Sequence, residues 1–219
     1  PDMGLVRDAE EGDPARASWR ERFTQGWEGQ EQEEVASYHR MTKIAPAIVL
    51  IYAVVMSIVS YDWAMSLEPH WFSTMFGAWF FMGAFWGGIA ATALWSLYLR
   101  TQHKDFANHI GLQQRHDIGK LAFAFTVFWT YLFFSQYIVI WYGMLPLEQS
   151  YVVHRFDEPF NAVAKIVGVM VFAVPFFGLL GVAPKKNPRI YSLLVGILLV
   201  GLWLERYLLV HPSIYHELD

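Results

Sequence analysis

The sequence predicts an all-α fold, a polytopic transmembrane helix bundle with five spans, and three observations predict it. The 219 residues are 55% hydrophobic and 17% aromatic, with a mean hydropathy of +0.27, oilier than an ordinary soluble domain. Five apolar runs, each long enough to cross a hydrocarbon core roughly 30 Å thick, are separated by charged segments. Threaded alternately, the runs gather Arg40, Lys43, Arg100, Lys104, Arg115, Lys120, Lys185, Lys186 and Arg189 on one side. Only Arg155, Lys165 and Arg206 remain on the other. By the positive-inside rule the N-terminus is then cytoplasmic and the C-terminus periplasmic or outside, as in a multi-pass protein of the bacterial inner membrane. Dropping one span would scramble that asymmetry.

The composition also excludes some functions. There is no cysteine, so this chain can supply neither a thiolate-held iron–sulfur cluster nor a disulfide. The net charge of −4 is concentrated in residues 1–40, which hold ten acids against five arginines; nothing points to nucleic acid. The chain begins at Pro1 without a methionine, and no signal-peptide pattern follows. It reads as a processed chain or as part of a longer one.

Residues 1–40 form a polar tail or linker, and 41–219 the five-helix transmembrane domain. Within the tail, Trp19, Phe23 and Trp27 recur every four residues, which stacks three rings on one face of a short helix. That helix lies on the membrane surface or against a partner subunit. The first span runs from about Lys43 to Tyr61, with Pro46 in its opening turn where the missing N–H is harmless. It ends in SYDWAMSLEPHWFST, where tryptophans beside charges mark a membrane–water interface. Asp62, Glu68 and His70 there are candidates for loading or releasing protons, or are simply solvated.

The second span, about Phe72 to Leu99, spaces Gly83, Gly87 and Ala91 four apart, a pattern for close helix packing. The linker that follows carries His103, His109 and His116, spaced by six and seven, which matches no familiar zinc pattern; no metal site is expected.

The third span, HDIGKLAFAFTVFWTYLFFSQYIVIWYGMLPLE, is the most informative. From Ile118 to Leu145 only Lys120 is charged. At 100° per residue Asp117, Tyr131, Ser135 and Tyr142 fall within about 40° of one line, with Lys120 about 60° to one side. Gln136 lies about 100° round and faces a different neighbour. Two readings follow: hydroxyls and an amide that glue helices together, or a polar lining for protons or a quinone head. His116, Asp117 and Lys120 would sit at the inner mouth, with Tyr131, Ser135 and Gln136 beyond them. Ala124 and Phe128 interrupt the stripe, so this helix alone makes no continuous proton wire.

The fourth span, about Phe160 to Val182, contains Pro175, which predicts a kink. The fifth, about Ile190 to Val210, carries Glu205 and Arg206 in its last turns. Lys165 and Glu205 lie at similar depth, so they pair if their helices touch; otherwise Lys165 snorkels to the headgroups.

The blocks SYDWAMSLEPHWFSTMFG and HDIGKLAFAFTVFWTYLFFSQYIVIWYGMLPLE, with the helix order around them, resemble the ActF-type, second NrfD-like membrane subunit of alternative complex III. That family belongs to bacterial quinol:cytochrome c or quinol:electron-carrier oxidoreductases. The resemblance covers about residues 40–210. Family members have about ten membrane helices in two bundles, so the chain resembles the C-terminal half, an NrfD-like half-bundle. The resemblance implies a place beside a second NrfD-like subunit, access to the quinone pool, and haem and iron–sulfur clusters on partner subunits. It also implies that this subunit binds neither. The residues agree, since all eight histidines lie in tails, linkers or helix ends, where no haem could be held across two helices.

The expected function is therefore a cofactor-free membrane subunit of a respiratory or photosynthetic quinol-oxidising complex, without a catalytic centre of its own. It would support quinol oxidation and proton translocation. A purely structural anchor is the first alternative, favoured by the glycine-rich second span and the tryptophan belts. A stand-alone transporter is the second, but the midplane lacks a charged cluster and no paired broken helices are evident.

Overall fold

A computed structural model describes residues 4–6, 9, 14–102 and 110–216. Every regular element among them is helical. Five helices are long and apolar enough to cross a membrane, as the hydropathy pattern requires. The chain divides into two compact units, Pro1–Tyr52 and Ala53–Asp219; the division falls inside the first long helix, not near residue 40.

In the first unit, helix α1 (Ala17–Phe23) stops one turn short of the expected aromatic row. Trp19 and Phe23 stack with ring centroids 5.9 Å apart. Trp27 lies beyond the helix, which is capped at Thr24, and Gly26 turns the chain with a φ of 80°. Helix α2 (Gln30–Trp63) begins well before the expected Lys43. Its first turns are polar, so hydropathy alone could not find them.

Within the second unit, α2 gives way to a single 3₁₀ turn (Met65–Leu67), and Pro69 prevents the helix from resuming at once. Helix α3 (Thr74–Gln102) then packs against α4 (Leu112–Gly143) and against the last helix. Their shared interior is built from Trp86, Ala90, Ala93, Ala122 and Thr126, all at most 1% exposed. The glycine spacing in α3 works as expected at two positions. A Cβ on Gly83 would stand 2.5 Å from an Arg206 guanidinium nitrogen, and one on Gly87 would touch Leu202. Ala91 is exposed, so the row of close contacts ends there.

Met144 takes a left-handed conformation (φ 51°) that ends α4, and Pro146 opens α5 (Pro146–Phe156). No helix was expected between the third and fourth spans. Helix α6 (Asn161–Leu180) is interrupted by a π-helical stretch, Gly168–Ala173. Pro175 follows directly, and the wider turn accommodates the lost N–H and the ring that a regular helix would exclude. The expected disturbance is thus a local widening. Gly201 lets the last helix approach this stretch: a Cβ there would lie 2.8 Å from that of Met170. A short helix α7 (Val182–Lys186) leads into α8 (Pro188–His216).

Candidate functional site

The second half of α4 turns Trp129, Gln136 and Ile140 inward, because their spacing of seven and four keeps them on one helical face. With residues of α3, α5, α6 and α8 they border a cleft of about 520 Å³, within the range of small-molecule sites. Its walls are almost entirely apolar and aromatic: Trp71, Phe76, Trp79, Trp129, Phe133 and Tyr151 are among them. Phe134, Tyr137 and Phe172 border the same space and are partly exposed, so the cleft opens on an apolar outer face of the helices.

Few polar groups reach the cleft, and several are unpaired. The indole N–H groups of Trp71, Trp79 and Trp129 are buried and donate to nothing. Glu205 is 3% exposed, and neither carboxylate oxygen accepts a hydrogen bond. Arg206 Nε stands 3.1 Å from Glu205 Oε2, close enough to attract, but it is not aligned as a hydrogen bond. The Arg206 guanidinium is held elsewhere, donating to the Phe80 carbonyl at 3.2 Å and lying 3.9 Å from the Phe80 ring centroid. Gln136 accepts from Ser73 Oγ at 3.3 Å and reaches the Leu132 carbonyl at 3.4 Å. The cleft is therefore an aromatic slot whose lining residues include three indoles and Glu205, with the indole N–H groups and the carboxyl oxygens buried behind its apolar surface. Buried polar atoms left in this state are costly unless a ligand meets them.

One wall is held by Arg155, which is 5% exposed. Its guanidinium donates to Glu68 Oε1 at 2.9 Å, Ser213 Oγ at 2.7 Å, and the Tyr151 and Leu209 carbonyls at 2.7 and 2.8 Å. Ser213 in turn donates to Glu68 Oε1 at 2.8 Å. Trp71 stacks on Tyr151 with centroids 3.6 Å apart, and the Arg155 guanidinium lies 3.5 Å from the same centroid. Two planar groups that close must take opposite faces of the phenol. Burial pushes the Tyr151 hydroxyl well above its usual value of 10, against the opposing pull of Arg155. This phenol therefore stays protonated and neutral.

Of the residues singled out in the sequence, Glu68, Gln136 and Glu205 belong to this assembly. Asp62 and His70 are exposed. Asp117 and Lys120 pair at 2.7 Å, with Gln113 also on Asp117 and His116 3.9 Å away. That cluster is half exposed and lies about 28 Å along α4 from Gln136. Tyr131 is 60% exposed and Ser135 only partly covered, so the expected polar stripe faces away from the chain's own helices. Periodicity gave its alignment but not the direction it faces. The Lys165–Glu205 pair does not form: Lys165 is exposed, and the cation beside Glu205 is its sequence neighbour, Arg206. Their helices do pack together, but Lys165 lies on an exposed face and Glu205 on a buried one. His103 and His109 lie outside the described residues.

Sequence reasoning missed Trp71, Trp79, Trp129, Tyr151 and Arg155 as site residues. A signal existed, since Tyr151 and Arg155 are four apart and share a face once α5 is known to be helical. No family model matches the chain, and no curated protein matches it.

Proposed function

We propose that the chain is a membrane subunit of a bacterial quinol-oxidising complex of the alternative complex III type, and that its cleft holds the quinol head. The observation that carries this reading is Glu205, a buried carboxyl group that meets Arg206 but whose oxygens accept no hydrogen bond, among the residues lining an aromatic slot. A quinone is planar, has carbonyl acceptors for indole N–H groups and carries an apolar tail suited to a lipid-facing mouth. A quinol hydroxyl is the donor that Glu205 lacks. Oxidation of one quinol releases two protons and two electrons. Glu205 would take the two protons in turn, releasing the first before accepting the second, and haem or iron–sulfur centres on partner subunits would supply the acceptor for the two electrons. Neighbouring Arg155, Glu68 and Ser213 fix the wall and extend a polar network from the cleft toward a partly exposed carboxylate. The cytoplasmic N-terminus, the inner-membrane location and the second NrfD-like partner belong to the same proposal.

A structural anchor is the competing reading, and the long exposed apolar faces of α2 favour it. Tryptophan fluorescence separates the two. Titrating the purified protein with a short-tailed quinone should give saturable quenching, because three indoles border the cleft. Replacing Trp129 with Phe should remove much of the signal. Quenching that is linear and unsaturable, as for quinone dissolved in detergent, would favour the anchor.

A further inference from the structure

Glu205 and Arg206 adjoin in sequence and meet in space, yet they do not bond. Successive side chains on a helix diverge by about 100°, so the contact exists only because the long arginine stem reaches back. Its Nε comes within 3.1 Å of Glu205 Oε2 without aligning an N–H on either oxygen. What holds the guanidinium is α3, which packs against α8. Arg206 Nη2 donates to the Phe80 carbonyl at 3.2 Å, and the guanidinium carbon lies 3.9 Å from the Phe80 ring centroid. Gly83, one turn further along α3, leaves the room: a Cβ there would stand 2.5 Å from Nη2. Among the described residues, Arg206 is the charged group that acts on Glu205.

A carboxylate that is 3% exposed needs a counter-charge. One that must also take a proton from a ligand needs free lone pairs. A guanidinium forked onto both oxygens would meet the first need and defeat the second. Arg206 meets both, because Phe80 draws the guanidinium aside and Gly83 admits it there.

We infer that Arg206 is a positioning residue for Glu205: clamped by Phe80 and admitted by Gly83, it supplies the counter-charge that keeps the carboxylate ionised while both oxygens stay free to accept a proton. The identity of the proton donor rests on the quinol reading above. When the quinol O–H breaks, its electron pair stays on the quinol oxygen and the proton bonds to a Glu205 oxygen. A neutral carboxyl group then stands beside an uncompensated cation, which favours release of that proton before the second arrives.

Infrared spectroscopy of the purified protein reads the charge state without any quinone. Glu205→Gln alone should remove no protonated-carboxyl band. Arg206→Gln should gain such a band, and adding Glu205→Gln to it should abolish the gain. A protonated-carboxyl band that Glu205→Gln removes from the wild type would overturn the assignment, as would an Arg206→Gln spectrum without the new band. If Arg206→Gln does not fold, Gly83→Ala carries the same test, because it keeps both charged residues and displaces the guanidinium.

Kinetics then test the clamp. Quinol turnover should fall about ten-fold in Arg206→Gln with KM little changed, since an adjacent opposite charge favours the ionised form by at least that factor. Arg206→Lys, which keeps the charge, should fall between that variant and wild type. Gly83→Ala should also slow turnover, but should cost nothing more once Arg206 is glutamine, because the clash it creates is with the guanidinium. An equal loss from Gly83→Ala in both backgrounds would reduce Gly83 to plain helix packing and overturn the clamp. Wild-type protein that binds no quinone saturably would sink the quinol reading, while the infrared bands still decide the counter-charge.

Discussion

Glu205→Gln should lower quinol oxidation by the complex about a hundred-fold while leaving quinone binding within a few-fold of wild type. The magnitude follows from what the residue is asked to do, since a positioned general base contributes roughly 10²–10⁴ in rate. Glutamine keeps the shape of the side chain and can still contact a ligand, but it cannot take a proton. Folding should survive, because the carboxylate oxygens accept no hydrogen bond in the protein. Steady-state oxidation of a short-tailed quinol by the purified assembly, paired with quinone binding by fluorescence, separates loss of chemistry from loss of binding. Equal activity in the variant would remove Glu205 from the reaction.

Arg155→Met should be the most destabilising single change in the second unit, costing about 3–5 kcal/mol. The guanidinium makes four hydrogen bonds within 2.9 Å, and its removal leaves the Glu68 carboxylate without its cation and two helix carbonyls without their second donor. The Tyr151 ring would also lose the charge on one face while Trp71 stays on the other. Denaturant unfolding of the purified protein in detergent measures the loss. The double change Glu68→Gln with Arg155→Met should recover part of it, since the unpaired carboxylate is then gone. A variant with the stability of wild type would show that the network adds nothing net to the fold.

The five spans were legible in the sequence because apolar length alone dictates them, and the structure has five helices of that kind. What surrounds a helix was less legible. The Asp117–Tyr142 stripe shows the limit: residues at one azimuth of α4 were identified correctly, yet the neighbours of α4 pack on the face of Trp129 and Gln136 instead. Gln136 was placed on a separate face, and that face proved to be the buried one. Arg155 escaped notice because α5 has only eleven residues and, although amphipathic, is too polar overall to stand out as a span. The tryptophans read as interface anchors, a role in which one end is apolar and the other wet. Trp71 is instead buried, with its N–H unpaired. That property depends on which helices meet, and no local pattern encodes it.

The central claim is that a quinone head sits between α4 and the last turns of α8. Photolabelling tests it most directly, using an azido-quinone on the intact protein followed by peptide mapping. Label should appear on peptides containing Thr130–Ile140 or Glu205–Leu209, and excess unlabelled quinol should prevent it. Label confined to other helices, or incorporation that quinol does not reduce, would contradict the account.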